Sequence, residues 1–380
     1  MAKNQSSGVL SCDVKHWYPF NCPPIDLALG GGIPSGKIIE YFGWAHGGKT
    51  TFALESAKAF QCYWEAKKVK NHKVLWIEAE SALDKLRASA IGCNLKKFEL
   101  EEDIETLEQL DKRLKKTCDE VAKSQDKLPV LIVLDTLAAL TTQKELDDGT
   151  FGGGIGYKPR LLRQIFRQYT RVIGKLDITW IIVNQMSRSM GNTESESTGG
   201  EGLKFHASIR AHLAQTLRVK EVTAKGQELQ VGYWSNIKCK KNKLTSLQTA
   251  SAYFDNERGL DPIETILKYL HNFQLVETAG SWKTLQVPAI KKAKAYDLKY
   301  QNSKTVKEAI EQNPLLRDYL DYLVYEKQSS FTTLTKVRCI LKLWEYEERL
   351  FGKRKTVLTE EEKTLALVHY EELNRENLKS

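Results

Sequence analysis

The run Gly43, Trp44, Ala45, His46, Gly47, Gly48, Lys49, Thr50 constrains the fold more than any other stretch of this chain. It fits the spacing G-x-x-x-x-G-K-[ST], and its flanks decide what that spacing means. Lys37 to Phe42 is an apolar, strand-like run, and Thr51 to Phe60 is rich in helix formers. A strand that turns through glycines into a helix brings backbone N–H groups and the positive end of a helix dipole to one point. Such a point binds a phosphate chain. Lys49 is then placed to reach β- and γ-phosphates, and the Thr50 hydroxyl to bind Mg²⁺. The same arrangement calls for a parallel sheet with helical crossovers.

The rest of the chain keeps to that pattern. Val74–Glu78 is a second strand, and Glu101–Lys123 a charged helix with leucines at 107, 110 and 114. Pro129–Asp135 is a fully apolar run ending in an acid, the pattern of a central strand buried on both faces. Trp180–Gln185 is another. Two glycine-containing loops interrupt the series, Gly149–Gly156 and Met186 to about Gly202. A helix with Leu161, Leu162, Ile165 and Phe166 follows the first. Residues 205–260 read as strands and hairpins, and the chain from Leu260 onward as mostly helical.

A chain of 380 residues has room for one large domain and one or two small ones. Its net charge of +9 points to a polyanionic partner, nucleic acid or a membrane surface. No apolar run is long enough to span a bilayer, and the first residues hold no apolar signal core. The expectation is a cytoplasmic protein with no membrane partner. Seven cysteines without a C-x-x-C pair read as reduced thiols and support no zinc site.

Several polar residues stand where strands end. Asp135 suits the water shell of a Mg²⁺ ion. Glu78 or Glu80 can face a γ-phosphate and orient water; alternation puts both on one side if the strand continues that far. The residues alone leave that choice open, and a solvated strand edge accounts for either. The Gln185 amide can hydrogen-bond a γ-phosphate or cap a turn. Lys238–Lys243, taken alone, is a basic run of the kind that forms a solvated face.

Six runs in series resemble the RecA family of DNA strand-exchange recombinases. They are Ile39-Glu-Tyr-Phe-Gly43 with Gly48-Lys-Thr-Thr51, Trp76-Ile-Glu-Ala-Glu-Ser-Ala-Leu-Asp84 and Val133-Leu-Asp-Thr-Leu-Ala-Ala-Leu140. Val183-Asn-Gln-Met186, Thr198-Gly-Gly-Glu-Gly-Leu-Lys-Phe205 and Lys240-Lys-Asn-Lys-Leu244 complete the set. The resemblance covers roughly residues 22–325. It implies an α/β fold: a P-loop core with a central, mostly parallel twisted sheet flanked by helices. The core is expected over residues 22–262, and a small α-rich C-terminal domain over 263–325. A short N-terminal segment, 1–21, is a candidate subunit tether, and 326–380 a helical extension of unknown role.

The resemblance also assigns roles. Glu80 stands where the family has its water-activating carboxylate, and so outranks Glu78. Lys49, Thr50, Thr51, Asp84, Arg87 and Asp135 fall at nucleotide positions, with Thr50 and Asp135 on the metal. Gln185 is the switch glutamine. Lys241 and Lys243 match lysines that reach the ATP of the adjacent subunit, and with Phe205 they mark a subunit interface. The implied activity is DNA-stimulated ATP hydrolysis by a helical filament on single-stranded DNA, which pairs with homologous double-stranded DNA and exchanges strands. A single-strand-binding protein or loader is an expected accessory. The alternative is a RecA-fold hexameric helicase or repair motor, which would share Lys49, Glu80 and Asp135.

Two DNA-binding loops are implied as well. Gly153, Gly154, Ile155, Gly156, Arg160 and Arg163 belong to the first. Arg188, Met190, Asn192, Gly199 and Gly200 belong to the second. Ile155 and Met190 are candidate wedges between bases. Arg87 departs from the family, replacing a tyrosine that stacks on adenine and putting base preference in doubt. This drift, with the trimmed N-terminus, suggests a phage UvsX-like branch.

Overall fold

The computed structural model describes residues 14–81, 83–126, 128–147, 156–188, 195–197, 200–222, 226–246, 248–291, 293–329, 333–357 and Thr359. Strands β1 (Trp17–Tyr18) and β2 (Ile33–Pro34) pair antiparallel around helix α1 (Pro23–Leu29). The central sheet then begins with β3 (Ile38–Gly43), followed by α2 (Lys49–Ala66), β4 (Lys73–Glu78) and α3 (Lys85–Ile91). Next come β5 (Phe98–Glu101), α4 (Leu107–Lys123) and β6 (Val130–Asp135). Helices α5 (Gln143–Asp147) and α6 (Tyr157–Leu176) lead to β7 (Thr179–Arg188). After β8 (Ser195–Ser197) and α7 (Gly200–His206) the chain forms β9 (Ile209–Val222), β10 (Glu228–Asn242), β11 (Thr249–Asp255) and β12 (Gly259–Leu260).

The strand order is β12-β11-β10-β9-β3-β7-β6-β4-β5, with β8 paired to β7 off that path. From β9 to β5 the neighbours are parallel; from β9 to β12 they are antiparallel. The apolar runs are explained by burial on two faces. In β6, Leu131 and Val133 join the cluster of Phe52, Phe60 and Trp64 on α2. Ile132 and Leu134 join the opposite cluster, with Leu110 and Leu114 of α4 and Leu162, Ile165 and Phe166 of α6. A strand with helices on both faces keeps no polar side, and this is why its sequence does not alternate.

Two expectations need adjustment. Residues 16–20, expected within a tether, are built into the core. The His16 N–H donates to Ser35 Oγ at 3.0 Å, and Tyr18 is buried against Phe60 and Tyr63. Residues 1–13 lie outside the described residues. The loop expected from Met186 starts later, because β7 continues to Arg188 and pairs with β8. The chain beyond Leu260 is mostly helical, as expected, and also holds one small sheet. Helix α8 (Pro262–Asn272) precedes an antiparallel sheet of β13 (Glu277–Ala279), β14 (Trp282–Val287) and β15 (Tyr296–Tyr300).

Helices α9 (Ser303–Gln312), α10 (Leu315–Gln328) and α11 (Thr333–Phe351) complete this part. One apolar cluster joins Leu270, Leu285, Tyr300, Leu320, Val324, Cys339 and Leu343. Helix α10 runs through the 325/326 boundary, and α11 shares the cluster on its other side.

A candidate nucleotide site at the end of the central sheet

The topology gathers the polar strand ends. β3, β7, β6 and β4 are consecutive in the sheet and parallel, so their C-terminal ends form one edge. Gly43 is in register with Gln185, and Glu78 with Asp135. Four segments far apart in sequence therefore open onto one place. A cleft of 570 Å³ lies there. Ala45, His46, Gly47, Gly48, Lys49, Thr50 and Thr51 line it from the glycine loop. Glu80, Arg87, Thr136 and Gln185 line the facing wall, and Gln215, Arg218, Gln230, Tyr233 and Asn256 the outer one.

The glycines are local necessities. A Cβ on Gly43 would lie 2.2 Å from the Leu213 carbonyl oxygen of β9. Gly48 takes φ +86° to cap α2, a left-handed conformation that a side chain would strain. Trp44 is exposed on the loop and does not line the cleft. The Lys49 ammonium donates to the Trp44 carbonyl at 2.9 Å. Burial pushes its pKa down, against the pull of Asp135 and Glu80.

Asp135 is buried beneath the loop, and the Thr50 hydroxyl donates to it. Burial pushes its carboxyl up to about 7; Glu78 and Glu80 add to the rise, while Thr50 and Lys49 oppose it. A buried carboxylate with too little positive charge beside it, next to a hydroxyl, is a hard oxygen donor set. It fits Mg²⁺, which keeps most of its shell as water and phosphate oxygen. Among the described residues no three His, Cys, Asp or Glu side chains form a metal cluster, and that ion needs none.

The two glutamates part because β4 stops at Glu78 and the chain then bends. Glu78 is buried, and accepts from Trp76 Nε1 and from the Glu80 N–H, both at 3.1 Å. Glu80 borders the cleft. Its Oε1 accepts from Thr136 Oγ1 at 2.7 Å and from Gln185 Nε2 at 2.8 Å. Asp84 does not line the cleft; its carboxylate caps α3, accepting from the N–H groups of Leu86 and Arg87. Arg87 is tied to the wall: Nη2 donates to Thr51 Oγ1 at 2.9 Å, and Tyr233 is a further partner.

Lys241 and Lys243 stand elsewhere. The Lys243 N–H donates to the Ser208 carbonyl, and the Ser208 N–H to the carbonyl of Ile38, the first residue of β3. The glycine loop begins at the other end of that strand, about 17 Å away at a strand's rise per residue. Both ammonium groups donate to the Phe205 carbonyl, at 2.9 and 3.0 Å, at the negative end of α7. Lys241 is pushed down to about 8, chiefly by burial and then by Lys243 and Arg210. Phe205 is exposed, with the Lys243 ammonium over its ring.

Of the DNA candidates, Gly156 caps α6, and Arg160 and Arg163 are exposed on that helix. Arg188 lies in β7 and Gly200 begins α7. Gly153, Gly154, Ile155, Met190, Asn192 and Gly199 lie outside the described residues. Sequence reading passed over Thr136, which directly follows Asp135 in one of the quoted runs. It also passed over Tyr233, Gln215, Arg218, Gln230 and Asn256, which β9, β10 and the turn after β11 bring to the cleft with no local pattern to mark them.

A family model, the RecA N-terminal domain, matches residues 16–260. The chain belongs to the RecA family. It is 32% identical over 265 residues to the Protein RecA of Phytoplasma mali (strain AT), covering 68% of this chain and 73% of that protein. It is 28% identical over 312 residues to the Protein RecA of Synechocystis sp. (strain ATCC 27184 / PCC 6803 / Kazusa), covering 80% of each. This RecA-type recombinase therefore has its family core in β1 to β12, and the third apolar cluster lies beyond the match except for Leu27 of α1. Among the described residues no helix is long and apolar enough to cross a membrane.

Proposed function

We propose that this chain polymerises as a helical filament on single-stranded DNA, pairs it with homologous duplex and exchanges strands. ATP between subunits holds the active state, and DNA-stimulated hydrolysis releases it. The observation that carries this reading is the distance between the cleft and Lys241 with Lys243. The lysines sit at the opposite edge of the sheet, beyond the reach of their own cleft. In a head-to-tail contact one copy's lysines reach over the cleft of the next, and repetition of that contact without closure into a ring gives an open helix.

The residues then divide the work. The glycine-loop amides and Lys49 hold the phosphate chain, and Thr50 and Asp135 hold Mg²⁺. The bound Mg²⁺ supplies neutralising charge to the phosphate oxygens. Glu80 orients the attacking water and takes its proton. Lys241 and Lys243 of the adjacent copy stabilise charge on the transferring phosphoryl group. Gln185 hydrogen-bonds the γ-phosphate and passes its state to the second loop. Arg160, Arg163 and Arg188 neutralise DNA phosphates, which makes binding salt-sensitive and nearly sequence-neutral. The protein acts in the cytoplasm of a cell or of a phage-infected host.

Electron microscopy with single-stranded DNA and a slowly hydrolysed ATP analogue tests the assembly. Stretched, open helical filaments are expected. Closed rings would overturn the reading in favour of a hexameric motor.

A further inference from the structure

The two carboxylate oxygens of Glu80 are not equivalent. Thr136 Oγ1 and Gln185 Nε2 both donate to Oε1, at 2.7 and 2.8 Å, and neither bond uses Oε2. The two donors are anchored differently. Thr136 is 2% exposed and follows Asp135 at the end of β6. The Asp135 carbonyl accepts from the Ala79 N–H at 2.8 Å, so the segment carrying Thr136 is braced to the segment carrying Glu80. Gln185 instead adjoins the first rung of the β7–β8 hairpin, where Met186 pairs with Ser197. Its donor belongs to the stem of the second loop.

We infer that Thr136 is the positioning residue for Glu80, with Gln185 as its exchangeable partner. When the Gln185 amide turns to a γ-phosphate, Thr136 alone keeps Oε1 fixed and leaves Oε2 for water. In the step so served, the water oxygen bonds to the γ-phosphorus and its proton passes to Oε2. The broken P–O bond leaves its electron pair on ADP. The inference rests on the proposed role of Glu80.

Thr136→Val removes the hydroxyl at nearly constant volume. Loss of one hydrogen bond to a charged group is expected to lower kcat for DNA-stimulated ATP hydrolysis about 10- to 100-fold. KM for ATP and affinity for single-stranded DNA should stay within about twofold, the pattern of an interaction that matters to the chemical step. Thr136→Ser should restore kcat to within about threefold, because the donor returns. A packing role gives the opposite order, since Ser loses the methyl group that Val keeps. Wild-type kcat in Thr136→Val, or a Ser variant slower than the Val variant, overturns the inference. If Thr136→Val does not fold, Thr136→Cys carries the test: its thiol is a weak donor, and wild-type kcat there overturns the inference equally. Glu80→Gln, measured alongside, separates the two claims. Normal hydrolysis by Glu80→Gln sinks the proposed role of Glu80 and this inference with it. An inactive Glu80→Gln beside a fully active Thr136→Val sinks the inference alone.

Discussion

Glu80 reaches the cleft because β4 ends two residues before it, and that end is a tertiary event. Period-two alternation treats Glu78 and Glu80 as equals; the bend after Glu78 buries one and presents the other. Glu80→Gln keeps the shape and the hydrogen-bond acceptor but removes the base. It is expected to retain ATP and single-stranded DNA binding while turnover drops about 10²- to 10⁴-fold, the usual weight of a general base. Phosphate release measured beside equilibrium dialysis with ATP checks this, and undiminished turnover would move the base to another group. Lys243 tests a different kind of position. Its ammonium rests on the carbonyl of Phe205, away from the cleft of its own chain. Lys243→Ala is expected to cut DNA-stimulated hydrolysis at least about tenfold, a modest share of what a trans-acting cation supplies in related chemistry. Nucleotide affinity of the dispersed monomer should be unaltered. A monomer that binds ATP poorly would place Lys243 in its own site. The phosphate loop was legible in sequence because its residues are contiguous, whereas Thr136 and Tyr233 acquire meaning only from what the sheet sets beside them.

At the scale of elements, the strands of the central sheet announce themselves because burial on both faces leaves unbroken apolar runs such as Val130–Leu134. The small sheet β13–β15 does not. Only Leu285 and Val287 of β14 are fully buried, beside Lys283, Thr284 and Gln286, so the signal of that strand is two residues long. How the C-terminal helices meet the core was equally invisible. Asp26 of α1 and Asp321 of α10 are both buried there, and Asp321 accepts from Arg317 Nε and Tyr346 Oη. Burial pushes the Asp321 carboxyl up to about 6 and that of Asp26 to about 7, each helped by the other's charge or a neighbouring acid. A folded-state pKa above the unfolded one means that the folded chain holds the proton more tightly. The contribution to stability is then complete below about pH 4 and lost as pH rises through about 6. Asp321→Asn keeps an acceptor for Arg317 and cannot ionise. Its stability relative to wild type should therefore improve between pH 4 and pH 7, read as the shift in denaturation midpoint at the two ends. A difference that does not change with pH would mean that Asp321 does not titrate in that window.

For the whole molecule, the decisive question is whether one catalytic site is built from two copies. Glu80 and the glycine loop lie at one edge of the sheet, Lys241 and Lys243 at the other. A copy with Glu80→Gln still offers intact lysines to its neighbour, and a copy with Lys243→Ala still offers an intact cleft. Each variant alone should be nearly inactive. In a filament assembled from equal amounts of both on single-stranded DNA, the order of copies is random. A working site needs a Lys243→Ala copy to supply the cleft and a Glu80→Gln copy next to it to supply the lysine. Each condition holds for half of the positions, so about a quarter of the sites recover both groups in a head-to-tail polymer. Hydrolysis by the mixture should thus rise to about a quarter of the wild-type rate, well above the sum of the separate variants. If both groups served the same chain's ATP, no pairing of copies could restore a site. The mixture would then hydrolyse ATP no faster than its parts, and the composite site would have to be abandoned even if filaments formed.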